Sequence, residues 1–247
     1  MSDSDIPSDD IPSKEGPTAQ PKTTGRAIRS FVIRAGRSTA GQQRGLAELF
    51  PIYGIANAVG VLDFDAIFGR HAPRLIEIGF GAGEALLEYA SQHPHMDCIG
   101  IEVHPPGVGH LLLGLERLDL KNVRVIADDA VEVLERRIAP ASIAEIHVFF
   151  PDPWPKKRHH KRRLIQPAFV NLLARVLAAG GVLRLATDWE HYAHHMRAVL
   201  DASSSFRNLG GPDGFVARDE SRVLTRFERR RQRLGHDVWD LAYERLS

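Results

Sequence analysis

The sequence contains a single cysteine, Cys98, among 247 residues. One cysteine excludes a disulfide framework within the chain and favours a reducing compartment, so we expect a cytoplasmic protein. No apolar run approaches the roughly 20 residues that a helix needs to span a bilayer. The N-terminus also lacks the apolar segment of a signal peptide. The sequence therefore predicts no membrane partner.

Several catalytic motifs are missing as well. No serine or cysteine nucleophile motif is present. His191, His194 and His195 have helical spacing, but they lack a partner cysteine and the His-Glu-x-x-His pattern of zinc sites. We interpret these histidines as polar helix surface and predict no metal site.

What is present resembles the composition of an ordinary globular protein, with 43% hydrophobic and 26% charged residues. The length suits one substantial core. A net charge of +1 hides an uneven distribution, because residues 1–16 are acidic whereas residues 156–163 and 226–233 are basic. Local patches of this kind, rather than the net charge, decide what a surface attracts.

The chain divides into three parts by composition. Residues 1–25 are rich in Ser, Asp, Pro, Thr and Lys and contain no aromatic residue, so they cannot bury enough apolar surface to fold and are predicted to be a disordered tail. Residues 26–70 are predicted to form an N-terminal arm and helix. Residues 71–247 are predicted to form the main α/β domain.

Short apolar runs alternate with helical segments along this domain. Near-continuous apolar strands separated by helices predict a parallel sheet with helices on both faces. In such sheets, ligands bind beyond the carboxyl ends of the strands. The predicted strands are 74–80, 97–103, 123–128, 145–151 and 180–187, and the predicted helices are 83–92, 108–119, 130–139 and 167–180.

A glycine-rich turn follows the first strand. Gly79, Gly81 and Gly83 permit a tight turn and close approach of a ligand. The dinucleotide pattern G-x-G-x-x-G requires a small residue where Glu84 stands. Glu77 and Glu84 would repel a pyrophosphate but suit a cationic ligand such as S-adenosylmethionine, which carries a sulfonium and an ammonium group. Alternatively, Glu84 merely complements the dipole of the following helix.

Acidic residues also end the second and third strands. Glu102 lies about 20 residues past the glycines, which is the spacing of a ribose-binding acid. Its carboxylate could accept hydrogen bonds from both ribose hydroxyls, or it could be a solvated strand end. Asp128 or Asp129 could cap the next helix or accept a hydrogen bond from an adenine amino group, and both roles could coexist.

The fourth strand runs into "FFPDPWPKKRHHKRR". The prolines must end the strand ladder, and Phe150, Asp152 and Trp154 each precede a proline, which favours extended backbone. We therefore expect a stiff, extended finger that presents Asp152 to orient a nucleobase and Trp154 to stack on it. The alternative is an inert proline-rich loop, which would give no reason for a tryptophan outside the core.

A basic run follows immediately. Six of the eight residues 156–163 are Lys or Arg, and a second basic run occupies residues 225–233. Charge runs are usually solvated faces, but this density beside a candidate catalytic loop indicates contact with a phosphate backbone. The fifth strand ends at a further carboxylate, Asp188.

These segments together resemble the bacterial tRNA (guanine-N7)-methyltransferases. The similarity runs from about residue 29 to the end and rests on "RSFVIRAGRSTAGQ", "IEIGFGAGE", "GIEVHPPGVG", "FFPDPWPKKRHHKRRL", "ATDWE" and "TRFERRRQRLGHDVWDLAYER". The resemblance implies a Rossmann-like, seven-stranded methyltransferase sheet, mostly parallel with an antiparallel last strand, and helices on both faces. It also implies that the region after "GPDGF" supplies a closing hairpin.

The resemblance further implies an activity, a cofactor and a partner. The activity would be methyl transfer from S-adenosyl-L-methionine to N7 of guanine 46 in the variable loop of tRNA. The implied sites fall into three groups. Cofactor binding would involve Glu77, Gly79, Gly81, Gly83, Glu102, Asp129 and the catalytic Asp152; substrate binding Lys156, Asp188, Thr225, Arg226, Phe227 and Glu228; and RNA contact Arg158, His159, His160, Lys161, Arg162 and Arg163.

Other functions stay open at this point. A methyltransferase acting on another RNA is one alternative. A methyltransferase acting on an exocyclic amine is another, but it would usually carry Asn/Asp-Pro-Pro-Tyr/Trp, which is close to "PDPW" but different. A non-catalytic RNA-binding adaptor on the same fold is the alternative from another class. A nicotinamide-dependent oxidoreductase is disfavoured by Glu84. Monomer and homodimer are equally compatible with the sequence.

Overall fold

The computed structural model describes residues 38–56, 60–211, 213–219, 224, 228–229 and 237–247. The predicted tail, residues 1–25, and the start of the predicted arm lie outside these ranges. Within these ranges, seven strands form a single sheet. They are β1 (Arg74–Ile78), β2 (Asp97–Ile101), β3 (Val123–Ile126), β4 (Ile143–Phe149), β5 (Leu177–Thr187), β6 (Phe206–Asn208) and β7 (Trp239–Arg245).

Helices connect the strands and flank the sheet. They are α1 (Ala40–Arg44), α2 (Phe50–Tyr53), α3 (Phe64–Phe68), α4 (Glu84–Gln92), α5 (Pro105–Leu118), α6 (Ala130–Arg137), α7 (Pro167–Val176) and α8 (Glu190–Asp201). A π-helical turn, Gly45–Leu49, joins α1 to α2, and a 3₁₀ helix spans Lys157–Arg162. No helix in the described ranges combines the length and apolar character required to cross a bilayer.

The strand order is β3-β2-β1-β4-β5-β7-β6. β1 to β5 pair in parallel, whereas β7 runs antiparallel to both of its neighbours. The predicted mostly parallel sheet with an antiparallel last strand is therefore confirmed. All five strands predicted from apolar runs are present.

Two boundaries differ from the predictions. The helix predicted over 167–180 ends at Val176, because Leu177 already has extended backbone and pairs with Ile143 of β4. The closing hairpin does not lie wholly after residue 215, since β6 precedes that point. With three residues, of which only Phe206 is buried, β6 is too short to show a strand pattern in the sequence.

The core lies on both faces of the sheet. Within β1, Leu75 packs in a cluster with α4 and α5, whereas Ile76 packs in the cluster formed with α6, α7 and α8. This alternation follows from the two-residue period of a strand. Burial on both faces explains why the strand sequences are almost continuously apolar.

The described part of the predicted N-terminal arm packs on this domain. Leu49 and Tyr53 are buried in the α4–α5 cluster, and the Ile55 amide donates a hydrogen bond of 2.8 Å to the Val125 carbonyl of β3. Contact with α5 is made backbone to backbone, because a Cβ on Gly109 would lie 2.5 Å from the Gln42 carbonyl oxygen. Glycine is therefore what allows α1 to approach α5.

A half-buried carboxylate, Glu145, lies on the α4 face of the sheet. The Glu145 carboxylate accepts hydrogen bonds from the Tyr89 hydroxyl at 2.9 Å and the Arg184 Nε at 2.7 Å, and it lies 2.8 Å from the His147 Nε2. Burial raises the pKa of this carboxyl, but the contacts with His147, Arg184 and Tyr89 outweigh burial and hold the pKa at about 2. Burial and the neighbouring carboxylate raise the pKa of Tyr89.

We predict that Gly109→Ala destabilises the protein. Alanine normally stabilises a helix interior relative to glycine by about 1 kcal/mol, but here its methyl group would collide with the Gln42 backbone. The free energy of unfolding should fall by about 1–3 kcal/mol, as for overpacked cores. The control is Gly41→Ala in α1, whose methyl group would lie 3.5 Å from the nearest neighbour. Equal melting temperatures for both variants would contradict this account.

We also predict an acid-dependent loss of stability that depends on Glu145. Its folded pKa of about 2 is below the ordinary value of 4.5, so its contribution is present above pH 4.5 and is lost as the pH falls toward 2. In denaturant titrations, Glu145→Gln should lower the free energy of unfolding at pH 7 by on the order of 2–3 kcal/mol. It should also flatten the decline between pH 5 and pH 2.

The matched control is Glu116→Gln. Glu116 pairs with Arg44 on the exposed surface, where an ion pair contributes little to stability. If both substitutions changed stability equally, the buried contacts of Glu145 would not be the cause.

Candidate active site at the carboxyl edge of the sheet

The glycine turn after β1 has the backbone that its sequence requires. Gly79, Gly81 and Gly83 have φ of 71°, 57° and 77°, a region that other residues adopt only with strain. The turn also lies against the start of α5, because a Cβ on Gly107 would be 2.2 Å from the Gly81 carbonyl oxygen. The turn therefore packs closely against α5, and its residues Gly79 and Gly81 are exposed at the edge of the sheet.

Glu102, at the end of β2, holds this turn in place. Its Oε2 accepts a hydrogen bond from the Gly81 amide at 2.9 Å, and its Oε1 accepts from the Val103 and His104 amides at 2.7 and 2.9 Å. A carboxylate has about four acceptor positions. One position is left for a ligand, so Glu102 can accept from one ribose hydroxyl rather than from both. The interpretation as a solvated strand end is wrong.

Glu77 and Glu84 lie on either side of the turn. Glu77 is 3% exposed and is the fourth residue of β1, next to Gly100 of β2 and His147 of β4. Glu84 opens α4, and its Oε2 lies 3.9 Å from an Arg229 nitrogen. The position of Glu84 agrees with a role in complementing the dipole of α4. Two carboxylates so close to the turn still favour a cationic ligand.

The third strand leads into a capped helix. The Asp129 carboxylate accepts a hydrogen bond from the Val131 amide at 3.0 Å and caps α6, and Asp128 accepts from the Asp129 amide at 2.7 Å. The predicted capping role is confirmed for Asp129. Contact with an adenine amino group stays a prediction.

The proline loop after β4 is not an extended finger. Phe150 and Trp154 have positive φ of 53° and 44°, so the prediction of extended backbone is wrong at both positions. The Phe150 amide still donates to the Ala186 carbonyl at 2.8 Å, and the chain turns directly after this last ladder bond. Positive φ is costly for bulky residues and persists only where the surroundings impose it. Asp152 lies exposed between the two.

The basic run forms the 3₁₀ helix beside this loop. Within it, Lys157, Arg158 and Lys161 are exposed. The guanidinium of Arg162 lies over the Trp154 ring, 5.0 Å from the ring centroid. Trp154 is half-buried, so stacking of a base on its ring stays a prediction.

The histidines of the run are partly buried. The His159 ring meets the Trp154 ring edge-on, with 5.7 Å between the centroids. Partial burial and the charges of Arg158 and Arg162 lower the pKa of His159. His160 is also half-buried, and its ring lies 5.0 Å from the His191 ring. The cationic surface is therefore formed by the lysines and arginines.

Arg163 is buried, unlike the other basic residues of this run. It was predicted to contact RNA, but it is 2% exposed, and its Nε donates a hydrogen bond of 2.9 Å to the Pro153 carbonyl. The 3₁₀ helix ends at Arg162, and the backbone there turns the next side chain inward. A direct phosphate contact is incompatible with this burial.

The predicted substrate residues are only partly described. Asp188 follows β5 and Asp152 follows β4, and the two strands pair in parallel, so both carboxylates lie at the same edge of the sheet. Lys156 is exposed and precedes the 3₁₀ helix. Glu228 is fully buried, with its Oε1 4.0 Å from the Arg218 Nε. Thr225, Arg226 and Phe227 lie outside the described residues.

A cavity opens on the α4 face just below this edge. It has a volume of about 40 Å³ and is lined by residues that include Ala85 and Tyr89 of α4, Phe149 of β4, Arg184 of β5 and Asp240 of β7. The sequence did not indicate these residues, because they come from elements far apart in the chain and match no motif.

His191 and His194 of α8 are exposed and His195 is half-buried, and both His191 and His195 have close polar neighbours. The Nδ1 of His191 lies 3.1 Å from an Arg163 nitrogen, and the Nε2 of His195 lies 2.9 Å from the Ile165 carbonyl. Burial lowers the pKa of His195. Among the residues that the structure describes, no group of three or more His, Cys, Asp or Glu side chains is arranged to hold a metal ion.

Comparison with known proteins agrees with this geometry. Residues 71–241 match a family model described as "Putative methyltransferase". The chain is 56% identical over 218 residues to a tRNA (guanine-N(7)-)-methyltransferase of Leifsonia xyli subsp. xyli (strain CTCB07), covering 88% of this chain and 96% of that protein. It is 53% identical over 233 residues to one of Ectopseudomonas mendocina (strain ymp), covering 92% and 98%.

Solved structures resemble the fold. The 16S rRNA methyltransferase KamB superposes with a TM-score of 0.57 at 15% identity, over 79% of this chain and 99% of that one. The antibiotic-resistance methyltransferase Kmr gives a TM-score of 0.51 at 16% identity, over 79% and 98%. At such low identity the likeness shows the methyltransferase fold alone. The sequence identities above 50% over most of the chain go further, and they show that this protein belongs to the tRNA (guanine-N7)-methyltransferase family.

Proposed function

We propose that this protein transfers a methyl group from S-adenosyl-L-methionine to N7 of guanine in tRNA. One arrangement at the sheet edge supports the proposal best. The glycine turn follows β1, and Glu102, which follows β2, accepts a hydrogen bond from this turn. Asp152 and Asp188 follow the neighbouring strands β4 and β5. A donor site and an acceptor site therefore adjoin, and the exposed cations of the 3₁₀ helix flank the acceptor side.

The donor set suits a cationic nucleoside. Glu77 is a buried carboxylate, and a buried carboxylate is stabilised by a positive partner. Glu102 has one acceptor position left for a ribose hydroxyl, and Asp129 can accept from an adenine amino group while it caps α6. S-adenosylmethionine supplies the electrophilic methyl group when it is bound.

Asp152 acts on the acceptor. Guanine N7 carries an in-plane lone pair and no proton, so its attack on the methyl group needs no general base. Positive charge accumulates on the base during transfer, and an exposed carboxylate beside it stabilises that charge. Asp152 also orients the base, and correct placement of donor and acceptor supplies a large part of the rate enhancement.

Position 46 in the variable loop is the proposed target. The major groove of A-form RNA is too deep and narrow for a side chain to reach N7, which favours a guanine in a loop or an opened helix. The segments that resemble the bacterial family support this choice of nucleotide. Phosphate contacts from Lys157, Arg158 and Lys161 would then position the tRNA largely by shape and charge.

We predict that Asp152→Asn lowers kcat for methyl transfer by roughly 10²–10³-fold, with little change in KM, because the developing charge on guanine loses its counter-charge. The measurement is transfer of labelled methyl to unmodified tRNA, followed by identification of the modified nucleoside. The wild-type protein should yield 7-methylguanosine, and replacing guanine 46 by adenine should abolish incorporation.

Asp119→Asn is the matched control. Asp119 ends α5 at the opposite edge of the sheet, and asparagine tolerates its left-handed backbone, so activity should be unchanged. Near-normal turnover by Asp152→Asn would refute its role in charge stabilisation. An N-methylated exocyclic amine as product would favour the exocyclic-amine alternative instead.

We also predict that tRNA affinity falls steeply with salt. The logarithm of the binding constant should decrease linearly with the logarithm of salt concentration, with a slope of about −0.7 to −0.9 per phosphate contact. The double variant Lys157→Gln, Arg158→Gln should reduce that slope by about two such contacts. The control is Lys121→Gln, an exposed lysine paired with Asp119 at the opposite edge. A flat salt response in binding titrations would contradict the role of the basic helix.

A further inference from the structure

A buried guanidinium lies directly behind the catalytic loop. Arg163 is the last residue of the basic run and is 2% exposed. Its amide donates to the His160 carbonyl at 3.0 Å, which closes the 3₁₀ helix and directs the side chain into the protein. Arg163 therefore belongs to the basic run in sequence but to the interior in space.

Three contacts fix the plane of this guanidinium. Its Nε donates to the Pro153 carbonyl at 2.9 Å, and its Nη1 lies 3.1 Å from the His191 Nδ1. Its central carbon lies 4.8 Å from the centroid of the Tyr192 ring. Tyr192 is fully buried, and its hydroxyl accepts from the Ile165 amide at 3.2 Å. The guanidinium therefore lies between the buried Tyr192 ring and the proline loop that follows β4.

Stability alone does not account for this arginine. Within the described residues, Arg163 forms no ion pair with a carboxylate, its Nη2 is buried without a hydrogen-bond partner, and burial lowers its pKa. A buried charge without a counter-charge is usually destabilising, and an apolar residue of similar size would often be more stable. A contribution to the loop gives a reason for its presence.

The Pro153 carbonyl is the atom through which Arg163 reaches the active site. That carbonyl belongs to the peptide plane between Pro153 and Trp154, and the φ of Trp154 is the rotation that immediately follows it. Trp154 holds a strained φ of 44°, which must be imposed by its surroundings. The hydrogen bond from Arg163 holds the peptide plane next to this rotation. The preceding residue is Asp152; burial raises the pKa of Tyr192, and the negative charge of Asp152 adds to this effect.

We propose that Arg163 is a positioning residue for Asp152. By holding the Pro153 peptide against Tyr192 and His191, it sets the place of the Asp152 carboxylate and of the Trp154 ring. The inference rests on the proposed role of Asp152 in methyl transfer. The basic run then has two functions, since its exposed members contact phosphate and its last member organises the catalytic loop.

The test is Arg163→Lys. Lysine keeps the charge and much of the length but has no flat group that can bond to Pro153 and His191 while it covers Tyr192. We expect kcat to fall roughly tenfold to a hundredfold, as for a misplaced catalytic group. KM for tRNA, the salt slope of binding and the affinity for S-adenosylhomocysteine should stay within about twofold.

Two other arginine variants give the comparison. Arg136→Lys, on the exposed face of α6, should leave all of these values unchanged. Arg158→Gln should raise KM for tRNA and reduce the salt slope without a comparable loss in kcat. If Arg163→Lys instead behaves like Arg158→Gln, or if its kcat is unchanged, the proposal is overturned.

If circular dichroism shows that Arg163→Lys does not fold, His191→Ala is used as the test variant instead. His191 is exposed, so its removal leaves the fold but releases one side of the guanidinium. A fall of about threefold or more in kcat at constant KM supports the proposal, and an unchanged kcat overturns it. Absence of methyl transfer by the wild-type protein would instead refute the proposed function, which keeps the two failures distinct.

Discussion

The carboxylate of Glu102 accepts hydrogen bonds from Gly81, Val103 and His104, and it thereby joins the ends of two neighbouring strands. Every feature of the candidate site depends on such strand ends lying side by side. Parallel pairing brings the ends of β1 to β5 to one edge, so residues that are far apart in the chain become neighbours. The glycines adopt their left-handed backbone without strain, and the bond from the Gly81 amide to Glu102 fixes the turn to the end of β2.

Much of the fold and part of the site were readable from the sequence, because the relevant signals are local. Apolar runs predicted five strands to within a few residues. The acidic residues after β3 indicated a helix cap, which Asp129 forms. Strand β6 was missed because three residues with one buried side chain carry no pattern. The contact of α1 with Gly109 was missed for a different reason, since a close approach between distant segments leaves only a glycine in the sequence.

The proline loop shows where local rules are overridden. A residue before proline prefers extended backbone, yet Phe150 and Trp154 both adopt positive φ. The preference amounts to a few kcal/mol at most, which tertiary contacts such as the bond from Arg163 to Pro153 can exceed. The burial of the Arg163 side chain could not be predicted either, because a run of basic residues does not indicate which of its side chains faces the interior. Deviations of this kind are expected where a protein places reactive groups.

The topology of the sheet also bears on how the chain is made. Strand β7, Trp239–Arg245, lies between β5 and β6 although it follows both of them in the chain. Until β7 has been synthesised, β5 lacks the neighbour on its outer side, and β6 has no partner among the described strands. These two pairings can therefore form only after β7 has left the ribosome, and until then the unpaired edge of β5 is open to pairing with another chain.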